Sequence, residues 1–97
     1  MITVSDVLDF LEGFAPSELA ENWDNVGLLC GERKTEVTSV LCALDATETV
    51  VQEAIDRGAQ LVVAHHPAIF TSVSRVTSDD ATGRILRLAI RHDISII

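Results

Sequence analysis

Lysine is nearly absent from this 97-residue chain: Lys34 stands beside six arginines and faces fifteen aspartates and glutamates. The net charge is −8 and the pI about 4.6. So acidic a surface repels phosphate backbones, which argues against a general nucleic-acid-binding role. Cysteine is scarce as well. Cys30 and Cys42 each lie in an apolar run, where they are expected to be small buried hydrophobes in a reducing compartment. Their pattern matches neither a disulfide framework nor a zinc ribbon. No apolar run approaches the length of a membrane span. The opening residues, Ile2-Thr3-Val4-Ser5-Asp6, lack the basic region and apolar core of a secretory signal, so a cytoplasmic location is expected. Internal repeats, low-complexity tracts and linkers are missing too. Gly31-Glu32-Arg33-Lys34-Thr35 lacks both the leading glycine and the Gly-Lys-Ser/Thr ending of a phosphate-binding loop.

What is present suffices for a core. Hydrophobic residues make up 47% of the chain and the mean hydropathy is +0.30. That composition argues against disorder, and the length fits one small domain over residues 1–97. Val4, Val7, Leu8, Leu11 and Phe14 recur at helical spacing, with Thr3 and Asp6 placed as a capping box and Gly13 and Pro16 as terminators. Residues 28–30 and 37–44 read as two strands joined in a hairpin. Thr47 opens a second amphipathic helix with Val50, Val51, Ala54 and Ile55 on its apolar face, and Gly58 stands where a helix-ending glycine belongs. Leu61 to Ala64 then forms a strand. Strand, helix, glycine and strand in that order make a βαβ unit with parallel strands, so Asp45 and His65 leave from the same edge of the sheet. Residues 71–80 read as a polar loop anchored by Val73 and Val76. Residues 81–91 read as a helix with Ile85, Leu86, Leu88, Ala89 and Ile90 on its apolar face, flanked by Asp79 and Asp80 before it and by Arg91 and His92 after it. Ile94-Ser95-Ile96-Ile97 begins another buried strand. Apolar β-branched residues at a terminus are unusual, so an incomplete domain is expected. The fold class expected is α/β, a layered αβα arrangement with a mixed, partly parallel sheet.

The stretch with chemistry is Leu61-Val62-Val63-Ala64-His65-His66-Pro67. An apolar strand delivers two adjacent imidazoles, and the proline stops it by removing a backbone donor. The carboxyl ends of parallel strands are where ligands bind in open α/β sheets. Neutral imidazole is the commonest ligand of divalent transition metals. Neighbouring residues of an extended strand point to opposite faces. On a corner set by Pro67, however, His65 and His66 suit two adjacent ions, one imidazole each, held about 3.5–4 Å apart. The competing reading is that the pair only caps the strand through hydrogen bonds. Asp45 is expected to cap the following helix, with a place at the site as the alternative. Asp24 and Asn25 read as turn formers, Trp23 as a core or interface residue, and His92 as a surface residue.

Taken together, Trp23-Asp24-Asn25-Val26-Gly27-Leu28, Ala43-Leu44-Asp45-Ala46-Thr47 and the run from Gly58 through His65-His66-Pro67 to Phe70 resemble the NIF-three-like family, the GTP cyclohydrolase I type 2 homologues. The resemblance covers essentially the whole chain and matches the N-terminal portion of the family. It implies an α/β fold with a dinuclear metal site and a ring-shaped homohexamer. It also implies that His65 and His66 each hold one of two divalent ions per full-length subunit, with Fe, Mn, Zn and Co not distinguished. The family's remaining ligands do not map onto this chain. Its bridging aspartate follows the strand that here begins at Ile94, and a further histidine and glutamate come from near the family's C-terminus. Gln60 and Ala68 stand where members often carry Asp and Leu, and both read as tolerated changes. The function implied is a metal-dependent hydrolase acting on a small molecule, GTP by the family's label, with a metal-activated water attacking a purine-type ring carbon. The alternative is a metal-binding regulatory or protein-interaction module without catalysis.

Overall fold

The computed structural model describes residues 1–14, 27–69 and 73–97. Helix α1 (Val4–Phe14) opens on the expected capping box: the Thr3 N–H donates to Asp6 Oδ2 at 2.9 Å and the Asp6 N–H to Thr3 Oγ1 at 3.3 Å. The first amides of a helix have no partner within it. Here a neighbouring segment supplies them, since Val4 N–H reaches Thr35 O and Ser5 N–H reaches Arg33 O, both at 2.9 Å.

Strand β1 (Val40–Asp45), helix α2 (Glu48–Asp56) and strand β2 (Leu61–His66) form the βαβ unit, and β1 and β2 are parallel. Thr47 caps α2 by accepting from Val50 N–H at 3.2 Å. At the other end Gly58, at φ +71°, reverses the chain. Gly58 N–H bonds Ile55 O and Ala59 N–H bonds Ala54 O, the paired bonds of a Schellman motif. Helix α3 (Ala81–Arg91) is capped by Asp80, which accepts from Gly83 N–H at 2.7 Å. It ends on the same motif with Asp93 in the glycine position, at φ +53°. Strand β3 (Ser95–Ile96) runs parallel to β2, giving the sheet order β1-β2-β3.

The sheet separates two apolar layers. Leu61 packs with Val4 of α1 and with Val37, while Val62 and Ile96 pack with Val51 and Ala54 of α2 and Ala89 of α3. Alternate residues of one central strand therefore serve opposite layers. Leu61 and Val62 are both fully buried, so β2 anchors both halves of the core. The result is the expected αβα layering.

Four local expectations are corrected. The hairpin does not form. Residues 28–30 bridge antiparallel to Ile96 instead, with Leu29 N–H donating to Ile96 O at 2.9 Å and Ile96 N–H to Cys30 O at 2.8 Å. Val37 bonds back to Ile2 O at 2.7 Å and packs on Val4. Both apolar segments are thus used, but each by a more distant partner; the three strands of the sheet are parallel, and the antiparallel contact at Ile96 is an isolated bridge beside them. Ile90 is 62% exposed and lies outside the buried face of α3. Val73 and Val76 are exposed rather than anchoring the loop. Cys42 is exposed, because Val40, Cys42 and Leu44 lie on a face of β1 that α1 does not cover. No helix of the described residues is long and apolar enough to cross a membrane.

Candidate functional site

β2 continues through both histidines rather than ending at Ala64. The ladder supports it that far: Ala64 N–H bonds Ile97 O at 3.0 Å, and His66 is the register partner of Asp45. Pro67 is the first position that cannot donate, and the strand stops there. His65 and His66 are both exposed at the carboxyl end of the parallel strands. Strand alternation sends His65 toward the α1 side and His66 toward the α2–α3 side. At the end of the strand the rings nevertheless lie side by side, with centroids 4.9 Å apart and planes inclined by 56°.

Asp45 belongs to this site and does not cap α2. Its Oδ1 lies 2.8 Å from His66 Nδ1. Thr47 performs the capping that the sequence also offered to Asp45. A carboxylate can only accept, so the proton of this bond sits on Nδ1 and the Nε2 lone pair of a neutral His66 is left free. The His65 side chain has no hydrogen-bond partner among the described residues, and its ring lies against that of His66. The sequence placed Asp45 at the same sheet edge as the histidines, but only the register of the structure pairs 45 with 66.

Among the described residues no group of three or more His, Cys, Asp or Glu side chains could hold a metal ion together. The described residues thus bring together two imidazoles and one carboxylate, with Asp45 hydrogen-bonded to His66. Trp23, Asp24 and Asn25 lie outside the described residues. His92 closes the C-terminal end of α3 and is exposed, at the edge opposite the histidine pair. A cleft of about 320 Å³ between residues 30–35 and the end of α3 also lies at that opposite edge, beside Ser95. It contains Cys30, whose thiol burial pushes above its ordinary pKa, so it rests as the neutral, unreactive form.

Parallel strands that carry paired imidazoles at their carboxyl edge, between helical layers, define an α/β protein with a donor-bearing sheet end. The chain belongs to the Duf34/NIF3 (NGG1p interacting factor 3) family, which it matches over residues 2–97. It is 41% identical over 93 residues to a GTP cyclohydrolase 1 type 2 homolog of Clostridium perfringens, covering 96% of this chain and 36% of that protein. It is 45% identical over 94 residues to the homolog of the same name in Staphylococcus aureus (strain COL), covering 97% and 25%. The fold superimposes on the crystal structure of Staphylococcus aureus protein SA1388 with a TM-score of 0.94 at 44% identity, covering 99% of this chain and 31% of that one. A Bacillus cereus protein related to NIF3 gives 0.91 at 39% identity, covering 98% and 26%. Reduced HcgD from Methanocaldococcus jannaschii gives 0.88 at 27%, covering 98% and 38%. The chain thus spans between a quarter and two-fifths of the length of these relatives.

Proposed function

We propose that this chain carries the imidazole half of a dinuclear metal centre in a metal-dependent hydrolase resembling GTP cyclohydrolase 1 type 2. The observation that carries the reading is the pairing of His65 and His66, rings 4.9 Å apart, at the carboxyl end of β2. The donor chemistry fits divalent transition ions: both rings are accessible, and Asp45 leaves His66 Nε2 free to coordinate. Two donors are fewer than such an ion requires, so the other ligands come from outside the described residues. When bound, paired ions supply a water deprotonated near neutral pH and positive charge where negative charge develops. His65 and His66 hold and orient, Asp45 fixes one ring, and the rigid β1–β2 ladder keeps the three groups in register. GTP as substrate rests on the relatives' name. A homohexamer and a cytoplasmic setting belong to the same proposal.

The test is metal content after dialysis against Mn, Fe, Zn or Co. The wild-type chain binds weakly and the His65→Ala/His66→Ala double variant does not bind. Equal metal in the two would defeat the ligand assignment.

The family's description as an interacting factor favours a second reading, a metal-carrying regulatory or interaction module without catalysis. Formate release from GTP separates the two when measured on a family member of full length with its metal in place. Release that depends on metal supports the hydrolase, and none at full occupancy supports the module.

A further inference from the structure

We infer that Asp45 is a positioning residue that locks His66 into its Nδ1–H tautomer, making Nε2 the atom offered to metal. The inference rests on the metal reading of the histidine pair. Three observations carry it. The Oδ1···Nδ1 distance of 2.8 Å is that of a short, well-formed hydrogen bond. The contact is built into the backbone, because Asp45 and His66 are Cα partners in the β1–β2 register. And Asp45 has no competing duty at the helix, since the amide it could have capped is taken by Thr47. A free imidazole divides its proton between two nitrogens and rotates about χ2. One held from behind by a carboxylate keeps both its tautomer and its ring plane, and becomes a more basic ligand.

The two histidines are therefore prepared unequally. His66 is aimed in advance by Asp45, whereas the His65 side chain has no such hydrogen-bond partner among the described residues. The side chains of His66 and Asp45 are 57% and 55% exposed, which places the effect at the lower end of what such outer carboxylates contribute. Asp45 acts through His66 and is not itself a third ligand, because its Oδ1 is engaged by the ring nitrogen and no three-donor group forms among the described residues.

Two variants of the 97-residue chain test the inference. Asp45→Ala removes the acceptor, and Asp45→Asn keeps an acceptor oxygen. Long-range ¹⁵N–¹H correlation spectra of the metal-free protein read the tautomer of each histidine, and zinc or cobalt titration reads affinity. The expected result is His66 as Nδ1–H in the wild type, largely retained in Asp45→Asn and lost in Asp45→Ala, with His65 unchanged in all three. Affinity falls about tenfold in Asp45→Ala and much less in Asp45→Asn. A wild-type His66 found as the Nε2–H tautomer overturns the inference. So does an Asp45→Ala variant whose metal affinity matches the wild type while the double histidine variant has lost binding; that outcome leaves the metal reading standing. No metal bound by the wild type overturns both. Backbone amide spectra show whether each variant is folded, and the exposed position of Asp45 makes a folding failure unexpected.

Discussion

Asp45 and His66 face each other across β1 and β2, and their side chains meet at 2.8 Å while Thr47, two residues along, caps α2. Within three residues the chain separates a task of the site from a task of the helix. Thr47→Ala is expected to lower stability by about 1 kcal/mol, the usual cost of a lost cap. It should leave the His66 ring signals where they are. Asp45→Ala should move those signals with little effect on the urea midpoint. Matching losses of stability in the two variants would mean that the capping has been assigned to the wrong residue.

Gln60 does more than its place in the turn before β2 suggests. Its Oε1 accepts from Thr38 N–H at 2.8 Å and Ser39 N–H at 3.2 Å, and its Nε2 donates to Gly58 O at 2.8 Å. One side chain thereby fastens the entry to β1 onto the turn that leads into β2. Gln60→Ala should cost roughly 1–2 kcal/mol by leaving those backbone groups to water. Chemical denaturation checks it, and a variant indistinguishable from wild type would reduce these bonds to surface decoration.

Two helical glycines should respond in opposite directions to the same substitution. A β-carbon on Gly83 would collide with the carbonyl of Thr77, which is backbone and cannot swing aside. Gly83→Ala should therefore destabilise by about 1–3 kcal/mol, even though alanine is the better helix former. Among the described residues nothing comes within 4 Å of a β-carbon on Gly13, and Gly13→Ala should gain up to about 1 kcal/mol. Thermal melts of the pair decide it, and a shared sign would contradict the packing described at Thr77.

The thiols give a further contrast. Cys42 is exposed on β1, whereas Cys30 is half buried and its thiol pKa is raised by burial. Alkylation should label Cys42 well before Cys30 at neutral pH. Because the folded state holds the Cys30 proton more tightly than the unfolded chain does, its contribution to stability is complete below the ordinary thiol range. It declines as the pH rises through the higher folded value. A Cys30→Ser variant, with no thiol to titrate, should lose less stability over that alkaline interval. Parallel alkaline denaturation curves for the two proteins would contradict this.

Much of the architecture was legible because its signals are local. The Thr3–Asp6 box, the Thr47 cap, Gly58 and the boundaries of α3 each depend on a few adjacent side chains. The hairpin was misread because residues 28–30 and 37–44 carry strand character without naming a partner. The choice fell to Ile96, sixty-six residues beyond Cys30, whose free edge needed a ladder. The exposure of Cys42 and Ile90 was hidden for a similar reason, since hydrophobicity marks what can be buried and not which layer is present to bury it. At the site, the histidine pair was visible as a dipeptide. The role of Asp45 emerged only from strand register, which couples residues twenty-one apart.

Because α1 borrows its opening hydrogen-bond acceptors from Arg33 and Thr35, it has no way to be secured until that later stretch has settled. The βαβ unit, by contrast, closes over near neighbours. This helix would accordingly wait for segments made after it, and its amides should be among the readiest to exchange with heavy water when the folded protein breathes.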